Sequence, residues 1–275
     1  YHIPILMDSY KQVHNQKPYK TMPTLTVLRH GESLWNREKR FTGWTDIDLS
    51  TRGMAEAKRA GRLLKTKGCS FDLCFTSYLS RATETLRIVL ETMNLEDIPI
   101  KRSWRLNERH YGALQGMSWW EAVQKFGTKQ VLIWQRHFEA QPPPLDSEDS
   151  RFPGHDPRYS ALAPADLPHG ESLKDTLARL TPLWDNTILP QIQQGKGILI
   201  VAHNNSLRAL LKILGNIADS DIPRVTLKTG EPLVYELDGD GKPLKHSYLR
   251  VRAKWGQWAQ AKLGKWIQKA SENNQ

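Results

Sequence analysis

Apolar residues along this chain fall into short unbroken runs separated by stretches of helical spacing, and the order of the two predicts the architecture. Leu25, Val27 and Leu28 mark a strand at about 25–29. After an irregular stretch containing Phe41-Thr42-Gly43-Trp44, Ser50 is a good N-cap for a helix running to about Lys67, and Gly68 stops it. Phe71 to Ser77 reads as a second strand. Between Leu79 and about Asn94, the residues Ala82, Leu86, Val89, Leu90 and Met93 recur at helical steps, and Ile98 to Lys101 follows as a short strand. The Pro-rich stretch Pro142 to Pro168 reads as loop. A helix from about Ser172 leads into Gly197 to Ala202, an apolar run of the kind buried on both faces of a parallel sheet. Ser206 to Leu214 is predicted helical, and Val234 to Leu237 is the last predicted strand. Strands alternating with helices predict an α/β fold, a three-layer arrangement around a mostly parallel central sheet.

Composition narrows the class without deciding it. A chain of 275 residues with 39% hydrophobic and 25% charged residues is ordinary for a soluble globular protein. No run approaches the roughly 20 apolar residues that span a bilayer. The first residues lack the basic-then-apolar layout of a secretory signal, so a cytoplasmic location is expected. Cys69 and Cys74 are the only cysteines and have no histidine at metal-ligand spacing, so they read as buried or idle thiols and no metal is expected. The net charge of +10 is concentrated at the ends: +5 after residue 249 and +2 in the first 20 residues, which leaves +3 for the body. No broad nucleic-acid-binding face is therefore expected.

Two of the predicted strands end in a histidine, His30 and His203. Open α/β sheets bind ligands at the carboxyl ends of their strands. A histidine there can act as a nucleophile, and the neighbouring Arg29 offers a fixed fork of donors matched to phosphate. Gly31 lets the chain turn sharply behind His30.

Around these residues the chain resembles a known family. The stretch Leu28-Arg29-His30-Gly31-Glu32-Ser33, with Trp35-Asn36, Arg40-Phe41-Thr42-Gly43-Trp44, Thr76-Ser77 and Arg81, resembles the histidine phosphatase superfamily. More narrowly, the chain is similar to the cofactor-dependent phosphoglycerate mutases. That likeness rests on Leu106-Asn107-Glu108-Arg109-His110-Tyr111-Gly112-Ala113-Leu114-Gln115-Gly116, on Pro153-Gly154-His155-Asp156-Pro157-Arg158-Tyr159, and on Ala202-His203 with Asn205-Ser206-Leu207-Arg208. The resemblance implies a catalytic domain over 22–249 with an inserted cap at about 105–170. It implies that His30 carries a phosphoryl group to and from small phosphorylated three-carbon acids, interconverting 3-phosphoglycerate and 2-phosphoglycerate, with 2,3-bisphosphoglycerate as primer. Arg29, Arg81 and His203 would stabilise the transferring group, with Asn36 adding neutral donors. Glu108 would be the general acid and base. Thr42, Gly43, Tyr111, Arg136, Asn204 and Asn205 complete the expected substrate contacts. Three of the site residues have a structural alternative: Arg81 as a solvated charge, Asn36 as a turn cap, Glu108 as an ion-pair partner of Arg109.

Three departures bear on substrate choice. Trp119 stands where the family ordinarily has a substrate-binding lysine, Gln135 replaces the first of two adjacent arginines, and Asn204 replaces a glycine. Two cations are thus missing from the substrate side, with Lys125 or Lys129 as candidate replacements that equally suit a solvated helix face. Asn is the least costly substitute if position 204 is left-handed. Loosened binding makes a phosphatase or a bisphosphoglycerate mutase the nearest alternative, and a degenerate mutase serving as a binding protein the non-enzymatic one.

Residues 1–21 read as an extension. In 250–275, Val251, Trp255, Trp258, Ala259, Leu263, Trp266 and Ile267 recur at helical steps among lysines and arginines. Such a basic amphipathic helix suits an anionic membrane or an acidic partner. Packing of the tryptophans back onto the same chain is the preferred reading, and a homo-oligomer is compatible with everything above.

Overall fold

A computed structural model describes residues 23–249. The predicted extension and the basic tail lie outside the described residues. Six strands form one sheet: β1 (Thr24–Arg29), β2 (Leu73–Thr76), β3 (Ile100–Arg102), β4 (Ile198–Ala202), β5 (Leu233–Leu237) and β6 (Pro243–Tyr248). Their order is β3-β2-β4-β1-β5-β6, with β3, β2, β4 and β1 parallel and the last two antiparallel. The helices are α1 (Leu34–Arg37), α2 (Thr51–Thr66), α3 (Ser80–Met93), α4 (Trp119–Phe126), α5 (Thr128–Arg136), α6 (Leu173–Leu183), α7 (Leu189–Gln193) and α8 (Asn204–Gly215), the wide turn Trp184–Ile188 joining α6 to α7. The expected α/β fold is present: alternate residues of the central strands enter two separate cores. Leu28, Cys74, Leu199 and Val201 pack with Ala60, Leu64, Leu86 and Val89 of α2 and α3. Val27, Phe75, Ile198 and Ile200 pack with Leu180, Leu207 and Leu210 on the other face.

The structure adds an element that the hydrophobic pattern does not reveal. β6 is an edge strand with four exposed residues between half-buried ends, so no buried face marks it in the sequence, and backbone pairing to β5 defines it. Cys69 and Cys74 are free, and burial pushes the Cys74 thiol up to about 12. No described helix is long and apolar enough to cross a membrane.

Register positions the chemistry. Arg29 of β1 pairs with Ala202 of β4, and Thr76 of β2 pairs with Val201, so the residues after these strands, His30, Ser77 and His203, emerge side by side. The turn after His30 is clamped to the start of α2. Ser50 donates its backbone N–H to the Glu32 carbonyl at 2.8 Å and its hydroxyl to the Glu32 carboxylate at 2.8 Å. Two glycines permit that approach: a Cβ on Gly31 would lie 2.2 Å from the Gly53 carbonyl oxygen, and one on Gly53 would lie 2.0 Å from the Glu32 carbonyl oxygen.

These contacts reverse the usual expectation for a helical glycine. On helix propensity alone Gly53→Ala would stabilise α2 by about 1 kcal/mol, but against fixed backbone it overpacks, which typically costs about 1–3 kcal/mol. Urea unfolding is expected to show a net loss of stability. A gain would mean that the turn behind His30 yields freely.

Candidate active site

A cavity of about 320 Å³ opens at the carboxyl end of the parallel strands, near the lower end for small-molecule sites. Its floor is His30, 2% exposed. The His30 Nδ1 lies 2.7 Å from the Gly31 carbonyl oxygen. A carbonyl only accepts, so Nδ1 carries the proton and Nε2 keeps its lone pair. Burial, followed by the charges of Arg81 and Arg29, holds this imidazole well below the usual histidine range, while the Gly31 hydrogen bond opposes the shift. His30 is therefore neutral near pH 7, the state a nucleophile requires.

Two guanidiniums flank it, each anchored by carbonyls. Arg29 donates to Leu227 O at 2.9 Å, and Arg81 to Gly43 O at 2.8 Å and Thr45 O at 3.0 Å. Arg81 is 1% exposed, which excludes its reading as a solvated charge. Burial lowers Arg81 to about 10, with Glu108 opposing, so it stays charged at neutral pH. Burial lowers Arg29 as well.

His203 is buried behind His30, with ring centroids 4.9 Å apart and its Nε2 2.8 Å from Ser77 Oγ. Burial, Arg81 and His30 keep it neutral too. The sequence marks Ser77 only as part of the Thr76-Ser77 motif, and its position one step beyond a strand end is the signal for its place here.

Glu108 is almost fully buried at the cavity wall. Its Oε1 accepts the backbone N–H groups of Arg109 at 2.8 Å and Asn205 at 3.1 Å. The Arg109 guanidinium does not pair with it but lies 4.6 Å from the Tyr111 ring centre, so the ion-pair alternative for Glu108 does not hold. Asn205 joins the two halves of the site: its Nδ2 donates to the Tyr111 hydroxyl at 3.1 Å, and its Oδ1 accepts from Arg208 at 2.9 Å.

Asn36, Thr42, Gly43, Tyr111, Asn204 and Asn205 all line the cavity. Asn36 also serves as the turn cap considered for it, since its Oδ1 accepts the Ser33 backbone N–H in a capping box. Arg136 is the correction. It is exposed at the end of α5 and lies outside the cavity, whereas Gln135 lines it; adjacent residues on a helix point about 100° apart, so presenting one turns the other away. Lys125 and Lys129 are exposed and also lie outside the cavity, while Lys39 and Arg40, missed in the sequence, line it. Asn204 is the first residue of α8 and not left-handed, so a need for positive φ does not explain that position. Among the described residues no group of three or more His, Cys, Asp or Glu could hold a metal ion.

Comparison with known proteins places the chain in a family. The family described as "Histidine phosphatase superfamily (branch 1)" matches residues 25–152 and 149–249. Similar solved structures include the YhfR protein of Bacillus stearothermophilus, with TM-score 0.61, 26% identity, and coverage of 80% of this chain and 94% of that one. A mycobacterial glucosyl-3-phosphoglycerate phosphatase has TM-score 0.60 and 23% identity, covering 78% and 92%. The alpha-ribazole phosphatase of Shigella flexneri has TM-score 0.61 and 22% identity, covering 84% and 97%.

The buried neutral histidines make stability depend on pH. His110 is fully buried, accepts the Gly112 N–H on Nδ1, and is brought down to about 3 chiefly by burial. Below about pH 6.5 the unfolded chain binds a proton at each histidine that the folded chain refuses. Stability should then fall by about 1.4 kcal/mol per pH unit per histidine. Urea unfolding from pH 7 to 4 should show this decline, shallower by about that amount per unit in His110→Gln. Parallel profiles would remove His110 from the account.

Proposed function

The chain belongs to the histidine phosphatase superfamily (branch 1), and from that premise we propose that it is a phosphoglycerate mutase working through phospho-His30. The observation that carries the reading is the Nδ1–H of His30 fixed on the Gly31 carbonyl, which reserves Nε2 for attack between Arg29 and Arg81. As Nε2 bonds to phosphorus and the ring gains positive charge, the Gly31 carbonyl stabilises that charge. The guanidiniums receive the charge spread over the peripheral phosphoryl oxygens.

The polar groups present fit 2,3-bisphosphoglycerate as the primer: Arg29 and Arg81 around the phosphoryl position, with His203 behind His30, and Asn36, Thr42, Tyr111 and Asn205 around the rest of a small acid. When bound it would supply the phosphoryl group that first loads His30. Phospho-His30 then gives its phosphoryl group to the 2-hydroxyl of 3-phosphoglycerate as Glu108 takes the hydroxyl proton. His30 next accepts the 3-phosphoryl group, and Glu108 returns the proton to the leaving oxygen. The N–P bond broken in the first transfer is remade in the second, and 2-phosphoglycerate leaves.

A phosphatase is the second reading, favoured by one observation: Trp119 and Gln135 line the cavity where the resembled family has cations. Weaker hold on the acid would let water take the phosphoryl group from His30.

Incubation with 2,3-bisphosphoglycerate followed by intact-mass analysis should add one acid-labile phosphate to the wild type and none to His30→Ala. Equal labelling would overturn the assignment of the nucleophile. With substrate, 2-phosphoglycerate formation should outpace inorganic phosphate release, and the reverse ratio would establish the phosphatase. Glu108→Gln keeps the side-chain shape but moves no proton, so turnover should fall by about 10² to 10⁴. A folded variant of unchanged turnover would make Glu108 structural.

A further inference from the structure

We propose that Lys39 is the residue that recognises the substrate's carboxylate, replacing a cation that position 119 does not supply. The inference rests on the phosphoglycerate reading above. The segment carrying Lys39 runs antiparallel to the segment carrying Trp119. Arg40 bridges to Ser118, Phe41 donates its N–H to Met117 O at 2.9 Å, and Trp119 donates its N–H to Lys39 O at 3.0 Å. One step along from the Arg40–Ser118 bridge, the Lys39 backbone therefore meets that of Trp119. Both line the cavity, as does Gln135.

Lys39 is placed there at a conformational cost. Its φ is +55°, in the left-handed region where Gly, Asn and Asp are the usual residues. Neither its packing nor its pairing explains a lysine, since it is exposed and its ammonium makes no ion pair among the described residues. Arg40 beside it is engaged elsewhere: it donates to Gly116 O at 2.9 Å and pairs with Glu38 and Glu121. Lys39 is thus the cation at this wall left uncommitted by its neighbours, on a backbone held rigidly by the Trp119 segment. Trp119 lines the same cavity without competing for an anion.

The test compares two ligands that differ only at the recognised group, 3-phosphoglycerate and glycerol 3-phosphate, the second bearing a hydroxymethyl group in place of the carboxylate. Calorimetric titration of the full chain should show the wild type preferring 3-phosphoglycerate. Lys39→Asn, which suits the left-handed backbone and should melt no lower than the wild type, should reduce that preference by about tenfold, the worth of one charge-assisted contact. Lys39→Arg should retain most of it, and the wild-type preference should shrink as salt screens an exposed cation. A wild type without preference overturns the phosphoglycerate reading and this proposal with it. A clear wild-type preference that survives unchanged in Lys39→Asn overturns the role of Lys39 alone.

Discussion

Cations held by carbonyl oxygens are the constraint on which this site depends. Arg29 and Arg81 are fixed by the carbonyls of Leu227, Gly43 and Thr45. A carbonyl orients a guanidinium without cancelling its charge, as a carboxylate would, so both residues turn full charge toward the cavity. That choice shapes the loops: Gly43 takes φ +56°, and a Cβ there would lie 2.0 Å from Gln115 Oε1. The same charges, added to burial, keep His30 and His203 neutral. One arrangement therefore accounts for both the neutral imidazoles and the uncancelled positive charge beside them.

Glu108 needs a different support, because it lies in a segment without regular secondary structure. Arg179 of α6 supplies it, pairing with Glu171 at 2.6 Å inside the protein and donating to the carbonyls of Arg105, Asn107 and Glu108. Glu171 in turn accepts the His110 backbone N–H at 2.8 Å. A buried ion pair gives little net stability by itself. Here its value is positional, since it fixes the backbone on both sides of the carboxylate while Trp44 Nε1 donates to the Glu108 carbonyl at 2.6 Å.

The site is thereby assembled in two parts of different origin. Strand ends supply Arg29, His30, Ser77 and His203, in a register set by buried apolar strands. The opposite wall comes from the segments around 39–43 and 111–135, joined by a few backbone hydrogen bonds. The departures at 119 and 135 fall on that second wall, where a side chain can change without disturbing the sheet.

The division between what was legible in the sequence and what was not follows the range of the interactions. Ser50 as a cap, Gly68 as a stop, the helix from about Leu79 and the apolar run before His203 were readable because local backbone preference and burial decide them. His30 and His203 stood out as candidates because their residue type and strand-end positions are local facts, whereas Arg81, on a helix, and Glu108, in an irregular segment, were singled out only through the family resemblance. By contrast, β6 exists through pairing with β5, and Arg136 and Gln135 are separated by the rotation of one helix against a cavity. The backbone contact of Lys39 with Trp119 joins residues 80 apart in the chain. Those outcomes depend on which surfaces meet, and periodicity along one segment carries no record of its neighbour, so only the tertiary structure decided them.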